Sequence, residues 1–306
     1  YFLSIESYFI TLITSLIFGI VLYFLGKHSD RNIDFINQLI LIILVYLIIG
    51  LLIAIPFYLS NFQVTFLSAF FEAISGLTGT GFSTFKSIKY LDPTLILWRS
   101  STQWIGGLFF LIFLILIFSN KSFNYKMTNL TYSGDNSFKS EDNIKDNLLK
   151  IFIFYSVLSI IFLSLLSLSG VRLFSSLNLT MTLVSGGGFL PSDNLNDIIS
   201  NNFQKIVLTM ALIFSTLNFY LLFNIFNRKI LFKEHREDLY LFSTVIVFIL
   251  LIYFNNFKAL DVIISVVSSL ANSGISLIES DNNLALYFLL ITIVGGSLIS
   301  NTSKLP

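Results

Sequence analysis

The sequence has 306 residues, of which 55% are hydrophobic and 11% charged. Globular domains carry about a quarter charged residues, so a soluble domain of this size is excluded for want of polar surface. The formal net charge is +1, and with its charges segregated into loops it says nothing about acidic partners; no nucleic acid is expected to bind. The absence of cysteine rules out disulfides and thiolate metal sites.

Taken in chain order, the first element is an apolar run, Tyr8–Gly26, about long enough to cross 30 Å of hydrocarbon. No basic-then-apolar leader precedes it and residue 1 is Tyr, so the chain is expected to begin inside its own reading frame, after an earlier helix. A polar loop, Gly26–Asp34, leads to a second span, Asn37–Tyr58. Next comes Thr65–Leu77, too short to span and too apolar for a solvated loop, and then a glycine turn, Thr78-Gly79-Thr80-Gly81-Phe82. The chain returns through Thr94–Phe118 and enters the long polar loop Ser119–Asn147, expected to be a flexible solvated linker. The pattern then recurs as span Leu149–Leu168, short segment Arg172–Val184, turn Gly186-Gly187-Gly188-Phe189 and span Ile206–Phe226. After the loop Asn227–Asp238 it begins a third time: span Tyr240–Phe254, short segment Ala259–Leu270, turn Asn272-Ser273-Gly274-Ile275 and span Asn283–Ser300.

Helices are expected throughout, because lipid offers backbone groups no other partner. The fold class is therefore all-α and polytopic, built from repeated helix–loop–helix units. The divisions are a leading helix and loop (1–36), a first unit (37–118), a loop (119–147), a second unit (148–226), a loop (227–238) and a third unit (239–306). Lys and Arg concentrate in the loops of residues 26–34, 119–147 and 227–238, so the positive-inside bias sets these in the cytoplasm. His28 and His235 stand alone in polar loops and are expected to be solvated.

The three turns have one chemistry. A small residue precedes a reference glycine, Gly81, Gly188 or Gly274, and a large apolar residue follows it. A cation leaving water needs its hydration shell replaced, which backbone carbonyls can do when they share an axis. Glycine reaches the backbone angles that aim them, and a helix C-terminus behind them adds partial negative charge. The turns hold no acidic side chain, so dipoles would select the ion.

Within the spans, Arg99 is a formal charge and Glu72 lies in the first short segment. Either the two brace the first turn against its returning helix, or Arg99 snorkels to the interface. Ser215, Thr216 and Asn218 are expected to make interhelical hydrogen bonds. Phe and Tyr are expected to face lipid or fill helix contacts.

The string from Phe71-Glu72-Ala73 through Gly79-Thr80-Gly81 resembles the first pore loop of the TrkH/KtrB potassium transporter family. Leu97-Trp98-Arg99-Ser100-Ser101-Thr102-Gln103-Trp104-Ile105-Gly106-Gly107 is similar to the start of that family's following helix. Val184–Phe189, followed by Ser192-Asp193, resembles the second loop, and Ser269–Ser276 the third more loosely. The resemblance implies four repeats about a pseudo-fourfold ion path, three of them in this chain, with the fourth expected beyond Pro306. It implies filter carbonyls at Thr78, Gly79, Thr80, Gly81, Ser185, Gly186, Gly187, Gly188, Asn272, Ser273 and Gly274, with K+ as the transported ion and no organic cofactor. It also implies a gate near Gly295, Gly296, Ser300 and Asn301, in a string poorer in glycine than the family's.

The implied setting is the inner or plasma membrane of a bacterium, amid lipid, as a homodimer with a cytosolic nucleotide-binding regulatory subunit of TrkA/KtrA type. Gly79 stands where the family often has a hydroxyl residue, and Ala271-Asn272-Ser273 replaces a threonine-rich string, which leaves sodium permeation or cation coupling open. A secondary transporter of a small solute is the further alternative, although these turns offer mainly backbone. No enzyme is expected, since no nucleophile–base pair or metal-ligand cluster is legible.

Overall fold

The computed structural model describes residues 2–27, 35–62, 64–118, 144–216, 258–271 and 273–278, with isolated positions from 246 to 292. Among them the order is α1 (Phe2–Gly26), α2 (Phe35–Tyr58), α3 (Phe66–Leu77), α4 (Pro93–Phe118), α5 (Ile144–Leu168), α6 (Leu173–Ser185), a 3-10 turn (Leu195–Asp197), α7 (Asn202–Thr216) and α8 (Ala259–Leu270). No strand occurs among the described residues. Among the described residues three helices are long and apolar enough to cross a membrane: Ile5–Gly26, Ile36–Tyr58 and Leu148–Leu168. The protein is a polytopic helical membrane protein.

Elements and expectations agree closely, with informative differences at the ends. Helix α1 starts at Phe2 and α5 at Ile144, each several residues before its apolar run. A helix is not obliged to stop where the hydrocarbon does, so the polar turn Ile144–Asn147, expected as loop, continues α5. The fifth span is described only to Thr216; the expected sixth and seventh spans and the three polar loops expected in the cytoplasm lie almost wholly outside the described residues.

The short helices α3, α6 and α8 have 12, 13 and 12 residues, about 18 Å of rise, well short of the bilayer. Each begins on an extended residue, Thr65, Arg172 or Lys258. Thr65 caps α3 by accepting from the Ser68 N–H at 3.3 Å. Pro93 opens α4, at the position where a missing N–H costs nothing.

Long helices wrap the short ones. Ala69, Ala73 and Leu77 of α3 are buried against Ile53, Ala54 and Phe57 of α2 and Leu95 and Ile96 of α4. Leu179 and Leu183 of α6 pack with Phe162 and Leu166 of α5, Leu208 and Leu212 of α7, and Ile264 and Val267 of α8. By contrast α1 turns Phe9, Leu16, Ile20 and Phe24 outward, as a lipid-facing helix does.

A second kind of contact joins one unit to the next. Helix α4 lies along α6, and α7 lies along α8. Each returning helix therefore supports the short helix of the following unit. At the second of these joints Lys205 Nζ donates to Asp261 Oδ1 at 2.5 Å, with the carboxylate in the first turn of α8, where the helix dipole favours it.

Candidate functional site

The glycine turns begin where the short helices stop, and all three close with the same hydrogen bond. The N–H before each reference glycine donates to the carbonyl of the residue five earlier in the chain: Thr80 to Ser75 at 3.0 Å, Gly187 to Thr182 at 2.9 Å and Ser273 to Ser268 at 3.1 Å. In the first two turns the side chain of that same residue reaches the far side of the glycine. Ser75 Oγ donates to Phe82 O at 2.6 Å and Thr182 Oγ1 to Phe189 O at 2.8 Å. In the third, Ser268 Oγ instead meets Ser273 Oγ at 2.9 Å. A hydroxyl in the last turns of a short helix thus ties down the returning chain.

Backbone angles keep the same register. Gly79 and Gly186, each two residues before the reference glycine, have φ of 71° and 70°; Gly81 and Gly274, both reference glycines, have 78° and 65°. In the first turn the left-handed positions alternate with Thr80, which rotates the peptide planes on either side and is cheap only for glycine.

The turns also meet. A Cβ on Gly81 would lie 2.9 Å from Gly188 Cα and 3.0 Å from Gly188 N. One on Gly188 would strike Ser273 O and lie 3.6 Å from Gly81 Cα. At the next level Gly79 faces Ser185 O and Gly186 faces Ala271 O, both at 3.9 Å from the Cβ position. The first turn therefore touches the second and the second touches the third, backbone to backbone, at two matched heights.

Other expected site residues are near this cluster. Thr78 Oγ1 donates to Ile74 O at 2.8 Å and pairs with Thr80 Oγ1 at 2.6 Å. Ser185 ends α6, its hydroxyl bonded back to Met181 O at 2.9 Å. Asn272, Gly295, Gly296, Ser300 and Asn301 lie outside the described residues.

Glu72 and Arg99 form a pair, 0% and 1% exposed, with Arg99 Nε donating to Glu72 Oε1 at 2.7 Å. Snorkelling of Arg99 is overturned, because a carboxylate inside the protein offers more than the distant interface. The carboxylate also accepts from Ser83 Oγ at 3.0 Å, the Thr84 N–H at 2.8 Å and Thr84 Oγ1 at 3.2 Å. Arg99 Nη2 donates to Ser83 Oγ at 3.1 Å, and its guanidinium carbon lies 4.2 Å from the Phe189 ring centroid. The pair fixes the segment leaving the first turn and touches the second.

Ser215 departs from expectation. Its Oγ is buried with no partner among the described residues and lies 3.7 Å from the Cβ position of Gly186, so α7 presents it beside the second turn. Thr216's side chain and Asn218 are outside the described residues.

Sequence reasoning missed two contacts. Gln103 Oε1 accepts from the Phe189 N–H at 3.2 Å, and a polar residue in a span gave no sign of that partner. Asp193 accepts from Ser87 Oγ at 2.6 Å and the Ile88 N–H at 2.5 Å, strapping the segment after the second turn to the segment after the first. The hydrogen bond from Ser87, then that from Ile88, holds the Asp193 carboxyl below its ordinary value of 3.8. A depressed folded value adds stability above the unfolded value, lost only as pH falls through the folded one. Asp193 is exposed, so the strap contributes under about 1 kcal/mol. Asp193→Asn is expected to lower the melting temperature slightly and equally from pH 8 to pH 5. The difference should narrow only in melts recorded below pH 3.8, as the pH falls through the depressed folded value and the wild-type carboxylate takes up its proton.

The family model for TrkH, described as a cation transport protein, matches residues 4–254. An uncharacterized cation transporter of Methanocaldococcus jannaschii is 27% identical over 285 residues, 92% of this chain and 58% of the relative. The Trk system potassium uptake protein TrkG of Escherichia coli is 24% identical over 233 residues, 74% of this chain and 47% of the relative. The crystal structure of the potassium transporter TrkH from Vibrio parahaemolyticus superposes with a TM-score of 0.77 at 20% identity, over 94% of this chain and 62% of that one. At that identity the likeness establishes a shared fold. The chain spans about half the length of the curated relatives it matches.

Proposed function

The chain belongs to the TrkH family of cation transport proteins, and from that premise we propose that it conducts potassium across the cell membrane through the glycine turns. The observation that carries this reading is the backbone contact of Gly81 with Gly188 and of Gly188 with Ser273. Backbones packed this closely exclude side chains from the space they bound, which leaves carbonyl oxygens to replace an ion's water. The C-termini of α3, α6 and α8 end at these turns and bring partial negative charge with no acidic side chain.

The residues proposed to line the path are Thr78–Gly81, Ser185–Gly188 and Asn272–Gly274, with a gate at Gly295, Gly296, Ser300 and Asn301. Glu72 and Arg99 hold the first turn and do not touch the ion. A second copy of the protein and a cytosolic nucleotide-binding regulatory subunit are the proposed partners. Potassium uptake proteins among the relatives support the ion.

Expression of the complete protein is expected to restore growth of an uptake-deficient strain at low potassium, with rubidium tracer entering the cells. Protein present in the membrane with neither growth nor tracer uptake would overturn the reading. Rescue of sodium entry alone would make it a sodium-permeable member of the fold.

A further inference from the structure

Gln103 sits at 0% exposure on α4, one turn after Arg99, and belongs by chain order to the first unit. Its contacts are with the second. The Phe189 N–H, just past Gly188, donates to its Oε1 at 3.2 Å. A Cβ on Gly187 would lie 2.6 Å from its Nε2 and strike its Cδ and Oε1. The carboxamide therefore lies against the Gly187 Cα, where only a glycine admits it.

Its own hydrogen bonding is incomplete, for Nε2 is buried with no partner among the described residues. A buried amide donor left unpaired is a cost. An apolar side chain of like size would avoid that cost, so Gln103 is not explained by packing. What it supplies is an acceptor for the Phe189 N–H, which leucine would leave unpaired. Arg99, at i−4 on the same face, holds the Phe189 ring at 4.2 Å. Helix α4 thus grips the second turn at backbone and ring together, just after Gly188.

From this we infer that Gln103 is a specificity-determining positioning residue: the returning helix of the first unit sets the shape of the second unit's turn. The inference rests on the transport reading, and names a residue that never touches the ion. Its effect is on which ion passes more than on whether the protein folds.

The test uses the complete protein in liposomes, with rubidium and sodium uptake measured at matched protein content. Gln103→Leu is expected to lower the rubidium-to-sodium ratio about five- to tenfold, the size of one hydrogen bond, while rubidium uptake persists. Gly187→Ala should lower it too, by pushing on the same carboxamide. Gln103→Ser removes the same acceptor and also makes room for the added methyl, so Gln103→Ser/Gly187→Ala should lower the ratio no further than Gln103→Ser alone. A wild-type ratio in Gln103→Leu overturns the inference, as do strictly additive losses in the serine–alanine cycle. Should Gln103→Leu fail to fold, the serine–alanine cycle decides alone. Wild-type protein that carries neither ion sinks the transport reading instead, and the same cycle read by thermal melting then tests the contact.

Discussion

Arg99→Met is expected to destabilise the protein by about 3–5 kcal/mol, the cost of stranding a buried charge without its partner. The stranded group is Glu72, fully buried on α3, whose carboxylate would keep only the hydroxyl and N–H donors of Ser83 and Thr84. Glu72→Gln should cost less, because an amide oxygen still accepts one of those bonds and the arginine retains Ser83 Oγ and the Phe189 ring. The double variant Glu72→Gln/Arg99→Met leaves no unpaired charge inside the protein. It should be more stable than Arg99→Met alone. Thermal unfolding of the four proteins in detergent measures the coupling, and strictly additive losses would show that the two residues do not act as a pair.

Gly188→Ala is expected to lower rubidium uptake about ten- to a hundredfold, the rate equivalent of 1–3 kcal/mol of overpacking. Gly188 has no left-handed φ, so the whole effect is steric. Its Cβ would meet the Ser273 carbonyl, a backbone atom that no rotamer change can move aside. Gly79 supplies the contrast. It holds a φ of 71°, and a Cβ there would lie 3.9 Å from Ser185 O, an ordinary contact. Gly79→Ala should therefore cost the backbone strain, about 1–2 kcal/mol, with no collision against the second turn. Uptake at matched membrane abundance is expected to fall further for Gly188→Ala than for Gly79→Ala. The reverse order would mean that the second and third turns are not packed against each other.

Much of the fold was legible because its signals are local. Ala259–Leu270 is bounded in the sequence as a dozen residues of moderate hydrophobicity between a lysine and a small polar run, too short to span and too apolar for a solvated loop. The glycine turns could be registered against one another by residue type alone, and their shared hydrogen bond follows that register. What sequence could not decide was which distant groups meet. Glu72 and Arg99 are 27 residues apart, and whether α4 turns its arginine toward α3 or toward the interface depends on how the two helices pack. Asp193 and Ser87 are 106 residues apart, and no periodicity links them. Gln103 looked like an ordinary polar residue of a span. Its partner lies in the next unit, and only the packing of α4 along α6 brings them together. The interhelical partner expected for Ser215 fails likewise, because the rotation of α7 sets it beside Gly186.

Rubidium scatters anomalously and substitutes for potassium, so crystals of the complete protein grown in rubidium locate the ion itself. Peaks are expected in the space bounded by main-chain oxygens of Thr80 and Gly81, Gly187 and Gly188, and Ser273 and Gly274, with no carboxylate in contact. Rubidium found only against acidic side chains, or turns standing apart with no ion between them, would contradict conduction through a backbone filter.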